Sequence, residues 1–91
     1  MPKMTLATVR VLRVLQDHAG DELYGREIGW LSGLPSGTVM PILARLVREG
    51  WLEARREDAD PVKLGRPVRS YYKLTKVGAR ESEARLGKEK S

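Results

Sequence analysis

The chain has 91 residues, enough for one small domain that buries roughly 60% of its unfolded surface and leaves little room for a deep catalytic cavity. It has no cysteine, which excludes disulfide staples and thiolate metal sites, and no apolar run near the roughly 20 residues that a bilayer span needs. The net charge of +5 is unevenly placed: Lys3, Arg10 and Arg13 balance Asp17, Asp21 and Glu22 over residues 1–22, whereas residues 61–77 carry Lys63, Arg66, Arg69, Lys73 and Lys76 and no acidic residue, the footprint of a polyanionic partner.

Thr5 is placed to cap a first helix over 6–18, ended by Ala19-Gly20. At about 100° per residue, Met4, Ala7, Val11, Leu12, Val14 and Leu15 share one arc. Leu6 and Val9 fall outside it, beside Arg10 and Arg13, so this helix is more apolar than one buried stripe requires. A short second helix is expected over 22–32, with Asp21 as N-cap and Leu23, Ile28 and Leu31 facing inward. Gly33 supplies its C′ position, and "GLPS" makes a tight turn.

The third helix begins at Ser36 and ends at Gly50, with Val39, Ile42, Leu43, Leu46 and Val47 on one apolar face. It opens with Ser36-Gly37-Thr38 and carries Pro41 barely a turn inside. Packing alone does not explain that choice, because glycine and proline both weaken helix interiors. Gly37, Thr38, Pro41, Ala44, Arg45 and Arg48 lie on the opposite face, which has two cations and no carboxylate.

"WLEARRE" alternates as a strand does, with Leu52 and Ala54 on one face and Glu53 and Arg55 on the other. "DADPVKLGRP" reads as a long loop, and "VRSYYKL" as a second strand with Ser70, Tyr72 and Leu74 on one face. Thr75 caps a last helix through Leu86, and residues 87–91 read as a flexible tail. The expected fold is mainly α with a small β-hairpin (α+β), in the order helix-helix-helix-strand-wing-strand-helix. Residues 1–91 form a single domain with no repeat or linker.

Two helices joined by a tight, glycine-containing turn make a helix-turn-helix, whose second helix enters the major groove by its N-terminal residues. Ser36, Gly37 and Thr38 offer hydroxyls and bare backbone where helix N–H groups point outward, which suits phosphate. The hairpin behind makes it a winged helix-turn-helix, with Lys63 and Arg66 in the wing. The DNA-contact candidates are therefore Ser36, Gly37, Thr38, Met40, Pro41, Arg45 and Arg48 from the helix, with Lys63, Arg66 and Arg69 from the wing. Lys63 and Arg66, on a flexible loop, are expected on phosphates or the minor-groove edge. Arg45 suits a guanine and Met40 a thymine methyl. Leu6, Val9 and Arg13 with Ala84 and Leu86 are the candidates for a homodimer interface, and a dimer calls for a palindromic double-stranded operator.

Other features read as structural. Trp30 and Trp51 suit core or hinge packing better than an effector pocket, and Tyr72 belongs to the core. The pairs Glu57/Asp58 and Glu81/Glu83 are expected to be solvated carboxylates. His18 is the sole histidine, so neither a metal site nor an activated serine is expected. No P-loop or Rossmann glycine pattern occurs, so no cofactor and no enzymatic activity are expected. The N-terminus lacks a signal-peptide pattern, which gives a soluble, cytoplasmic protein as the expectation.

"LYGREI", "SGTVMPILARLVREGWL" and "GRPVRSYYKLT", spanning residues 23–75, resemble the PadR-type transcriptional regulators in order and spacing. That resemblance implies a homodimeric, DNA-binding repressor whose recognition helix and wing touch operator DNA. Members of that family commonly carry a tyrosine where this chain has Met40, and usually continue with a longer dimerising helix or helical domain. The alternatives are a winged-helix protein-interaction module and a small architectural DNA binder of the phage type. An interaction module would show an exposed apolar patch or acidic residues on the third helix, and this chain shows threonine and arginines.

Overall fold

The computed structural model describes residues 4–87 of the chain. Its elements are α1 (Leu6–Asp17), β1 (Leu23–Tyr24), α2 (Gly25–Ser32), α3 (Ser36–Arg48), β2 (Leu52–Arg56), α4 (Pro61–Leu64), β3 (Ser70–Leu74) and α5 (Lys76–Leu86). This is an α+β winged helix-turn-helix in the expected order, with β1 and the single turn α4 added. Of the expected tail, residues 88–91 lie outside the described residues.

The Thr5 hydroxyl caps α1, accepting from the Thr8 N–H at 3.1 Å. Val11, Leu12, Val14 and Leu15 of α1 then meet Ile28 of α2 and Val39, Ile42, Leu43 and Leu46 of α3 in one core. Each buried leucine or isoleucine there contributes about 2 kcal/mol. Leu23, Leu52 and Tyr72 complete the core from the sheet, with Trp51 from the turn just before β2. Trp30, by contrast, stands 68% exposed on α2.

The second helix starts later than its periodicity implies. Leu23 and Tyr24 pair antiparallel with Tyr72 and Tyr71, so the sheet order is β1-β3-β2. Asp21 is consequently not the N-cap. Tyr24 takes that position, and the Glu27 carboxylate accepts its N–H at 3.3 Å. Leu23 is buried as expected, but from a strand. Leu31 is 50% exposed rather than inward, because α2 packs through the Ile28/Ser32 ridge. Gly33 closes α2 in the left-handed region at φ 73°, where a Cβ would be strained.

β2 and β3 pair antiparallel from Leu52↔Leu74 to Arg56↔Ser70. Ala54 lies opposite Tyr72 yet is exposed, against expectation. The helical layer covers the central strand β3 and stops short of β2 beyond Leu52. The long loop is also less irregular than expected. Asp60 Oδ1 accepts from the Val62 N–H at 2.9 Å to start α4, and Gly65 ends it at φ 70°.

α5 is tied down at both ends. The Thr75 hydroxyl accepts from the Gly78 N–H at 2.9 Å and donates to the Gly50 carbonyl at 2.7 Å. The Thr75 N–H reaches the Trp51 carbonyl at 3.0 Å. At the other end Arg13 donates to the carbonyls of Leu86 (2.7 Å) and Gly87 (3.1 Å). Gly78 sits against the backbone of Trp51 so closely that a Cβ would overlap the Trp51 carbonyl.

Gly78→Ala should therefore destabilise the fold by about 1–3 kcal/mol, the usual range for overpacking against a backbone that cannot yield. Gly37, with nothing within 4 Å of a would-be Cβ, makes the contrast. Gly37→Ala should leave stability unchanged or raise it by up to about 1 kcal/mol. Urea unfolding of the two variants measures both, and equal midpoints would contradict the packing described.

Candidate nucleic-acid interface

The buried residues of α3 fix which of its residues face outward. With Val39, Ile42, Leu43 and Leu46 inside, Ser36, Gly37, Met40, Pro41, Ala44 and Arg48 are exposed, and Thr38 and Arg45 half-buried. Pro35 is the N-cap and contributes no side-chain cap, so the Ser36 hydroxyl is not used there. The N–H groups of Thr38 and Val39 turn back to the Pro35 carbonyl at 2.9 and 3.0 Å. Those of Ser36 and Gly37 have no acceptor within the helix. Pro41 lacks the amide that would bond the Gly37 carbonyl, which is left without that helical donor. The first turn of α3 thus presents donors and an acceptor on small residues.

Arg45 and Arg48 occupy the last turn of α3, where cations suit the helix dipole. Among the described residues the side chains of neither these two nor Lys63, on α4, take part in a hydrogen bond or ion pair.

The wing differs from the expected flexible basic loop. Arg66 donates to Glu57 through both terminal nitrogens, at 2.9 and 3.0 Å. The same carboxylate accepts the Arg69 N–H at 3.1 Å, and the Glu57 N–H donates to the Arg69 carbonyl at 2.8 Å. Glu57 is therefore not the solvated carboxylate its Asp58 neighbour implies, and Arg66 is held on it. The Arg69 guanidinium lies over the Tyr24 ring, 4.0 Å from the centroid. A second bidentate pair, Arg55 on Glu22 with both contacts at 2.9 Å, ties the approach to β1 onto β2. The Arg66 hydrogen bonds hold the Glu57 carboxyl below its ordinary value, and Arg55 does the same for Glu22.

Between α3 and the base of the wing lies an open cleft of about 350 Å³, which brings together Met40, Arg66 and Arg69 of the expected set. It also brings in Arg26, which the sequence reading missed. The signal was present in "LYGREI", a cation in the first turn of the helix that leads into the turn. Arg45, Arg48 and Lys63 lie outside this cleft.

The dimer candidates divide. Leu6 is 76% exposed, Ala84 is exposed and Val9 half-buried. Leu86 packs against this chain's own core instead, and Arg13 spends its guanidinium on the end of α5. Both depart from an outward-facing interface role, because α1 and α5 pack on each other within the chain. Among the described residues no helix is long and apolar enough to cross a membrane.

Residues 11–84 match the transcriptional regulator PadR-like family. This chain belongs to that family. Solved structures similar to the PadR-like chain include the PcaV transcriptional regulator from Streptomyces coelicolor with its natural ligand. That protein is 30% identical, with a TM-score of 0.72, over 92% of this chain and 53% of its own. The overoxidized AbfR bound to DNA is 27% identical, with a TM-score of 0.68, over 89% of this chain and 54% of its own. A putative DNA-binding protein from Ralstonia eutropha shares the fold at 22% identity and a TM-score of 0.71, covering 92% of this chain and 99% of its own. The PadR-like chain thus spans about half the length of PcaV and AbfR. Among curated proteins, none matches it in sequence.

The lowered carboxyl values carry a sign. A carboxylate whose folded pKa is depressed stabilises the fold above its unfolded pKa, and that contribution is lost as pH falls through the folded value. The Glu57–Arg66 and Glu22–Arg55 pairs should therefore be intact at neutral pH and fail only in acid. Carboxyl-carbon NMR should place both glutamate midpoints below the ordinary glutamate range, and Arg66→Gln should raise that of Glu57. A Glu57 midpoint indifferent to Arg66→Gln would refute the pairing.

Proposed function

We propose that this PadR-like chain is a transcriptional repressor that binds double-stranded DNA as a homodimer, with α3 in the major groove and the wing on the backbone or minor groove. The observation that carries this reading is the two-sided character of α3. One side is locked into the core by four apolar residues, and the other offers small residues, two arginines whose side chains have no partner among the described residues, and no carboxylate. A rigid helix can hold the geometry that base-edge contacts need, whereas phosphate contacts tolerate a less exact position.

On this reading the outward N–H groups of Ser36 and Gly37 take a phosphate, and Thr38, Met40, Pro41 and Arg45 meet base edges. Arg48, Lys63 and Arg69 supply backbone charge. Leu6, Val9 and Ala84 form the surface on which two copies meet, setting two recognition helices about 34 Å apart on a palindromic site. Repression follows from occupancy of that site. No step of this function requires a cofactor, a metal or catalysis, and it belongs in the cytoplasm, where the DNA is accessible. Residues 1–91 act as one domain. The similar AbfR, whose structure is of the protein bound to DNA, supports DNA as the partner.

Selection of bound fragments from random duplex DNA should recover a palindrome, and sedimentation at micromolar concentration should show a dimer. A protein that stays monomeric even on DNA would end the homodimer reading. Arg45→Ala should relax discrimination at one base pair per half-site by about 1–3 kcal/mol. Lys63→Ala should leave the preferred sequence intact and lower the slope of log affinity against log salt by about 0.9 per chain. If Lys63→Ala changed the preferred sequence and Arg45→Ala only the salt slope, the roles would be reversed.

A further inference from the structure

The one strongly basic segment of the chain contains an arginine that is already occupied. Arg66 lines the cleft between α3 and the wing, where a bound duplex would pass, yet its guanidinium forms a two-pronged pair with Glu57 at 2.9 and 3.0 Å. The pair is half-buried, with Glu57 18% and Arg66 31% exposed. Glu57 is also fixed from behind by the Arg69 N–H, so it cannot follow Arg66 outward without breaking the wing's base. A carboxylate binding an arginine in this fork geometry offers two negatively charged acceptor oxygens, as a phosphodiester does.

We propose that Glu57 is an internal phosphate mimic that withholds Arg66 from the DNA backbone and so limits how tightly the chain grips DNA of any sequence. The inference rests on the duplex-binding reading above. Moving Arg66 from Glu57 to a DNA phosphate exchanges one charge-assisted fork for another and strands a carboxylate beside the polyanion. The exchange therefore adds little attraction for DNA of arbitrary sequence. Phosphate neutralisation and counterion release act on any sequence alike, so one fewer available cation per chain weakens the grip on every duplex and desensitises it to salt. Base-edge contacts from α3 are untouched, and with them the preferred sequence. Asp58, the next residue, is exposed and holds no arginine among the described residues, which makes it the control for charge alone.

The test is a salt titration of the full chain on its selected site and on a scrambled duplex. With Glu57→Gln, the slope of log affinity against log salt on the scrambled duplex should steepen by about 0.9 per chain. At 0.1 M salt that corresponds to roughly eightfold tighter non-specific binding per chain, with the preferred sequence unchanged. Adding Arg66→Gln to Glu57→Gln should abolish the gain, and Asp58→Asn should produce none of it. An equal gain from Asp58→Asn overturns the proposal, as does weaker binding of folded Glu57→Gln to both duplexes. Should Glu57→Gln fail to fold, guanidinium and carboxyl NMR of the unaltered protein decides. Arg66 and Glu57 signals unmoved by saturating scrambled duplex support the proposal, and a saturable Arg66 shift overturns it. Wild-type protein that binds neither duplex would instead remove the DNA-binding reading itself, which is a different outcome from any of these.

Discussion

The structure depends on the burial of one face of α3. Val39, Ile42, Leu43 and Leu46 pack with Val11, Leu12 and Leu15 of α1 and Ile28 of α2 in the single core. That burial fixes the rotation of α3 about its own axis, and with it the direction of every outward side chain. Ser36, Gly37, Pro41 and Arg48 need no interaction of their own to be presented. They are presented because the other side is not free to turn. The helix can then accept glycine at its second position and proline at its sixth, since tertiary packing and not propensity holds it.

A second set of contacts sets where the wing begins. Thr75 joins the exit of α3 at Gly50 to the entry of α5, and Gly78 lets α5 lie directly on the Trp51 peptide. The hairpin therefore leaves the body from a fixed root. Further out, Glu57 bonds Arg66 and Arg69 and keeps β2 and β3 in step beyond their last paired residues, Arg56 and Ser70. Charge here serves geometry first.

Much of this was legible in the sequence because its causes are local. Thr5, Gly33, Gly50 and Thr75 mark helix ends by chemistry that acts within a few residues, and the inner face of α3 follows from spacing alone. β1 was not legible. Two residues have no periodicity, and Leu23 and Tyr24 become a strand only because Tyr71 and Tyr72 arrive beside them from far along the chain. The role of Glu57 was hidden for the same reason. Beside Asp58 it reads as a solvated pair, and only the closed hairpin brings Arg66 within reach. Arg26 was visible as a cation but not as a wall of the cleft, because the opposite wall is made by residues 66–70. Leu86 and Arg13 were misplaced because a helical wheel shows which residues lie outside the stripe, not which other helix of the same chain will cover them.

The capped turn at the tip of the wing has a consequence for timing. Ordering a flexible backbone costs about 1–2 kcal/mol per residue, and a loose wing would meet that cost at the moment of docking. Here Asp60, Pro61 and Gly65 define a turn, and Glu57 closes the base, so the cost falls on folding instead. A wing that is ordered beforehand has little capacity to remould itself to a groove of the wrong width or phase. On the proposed mode of binding, such a groove would be refused by shape, before any base is read.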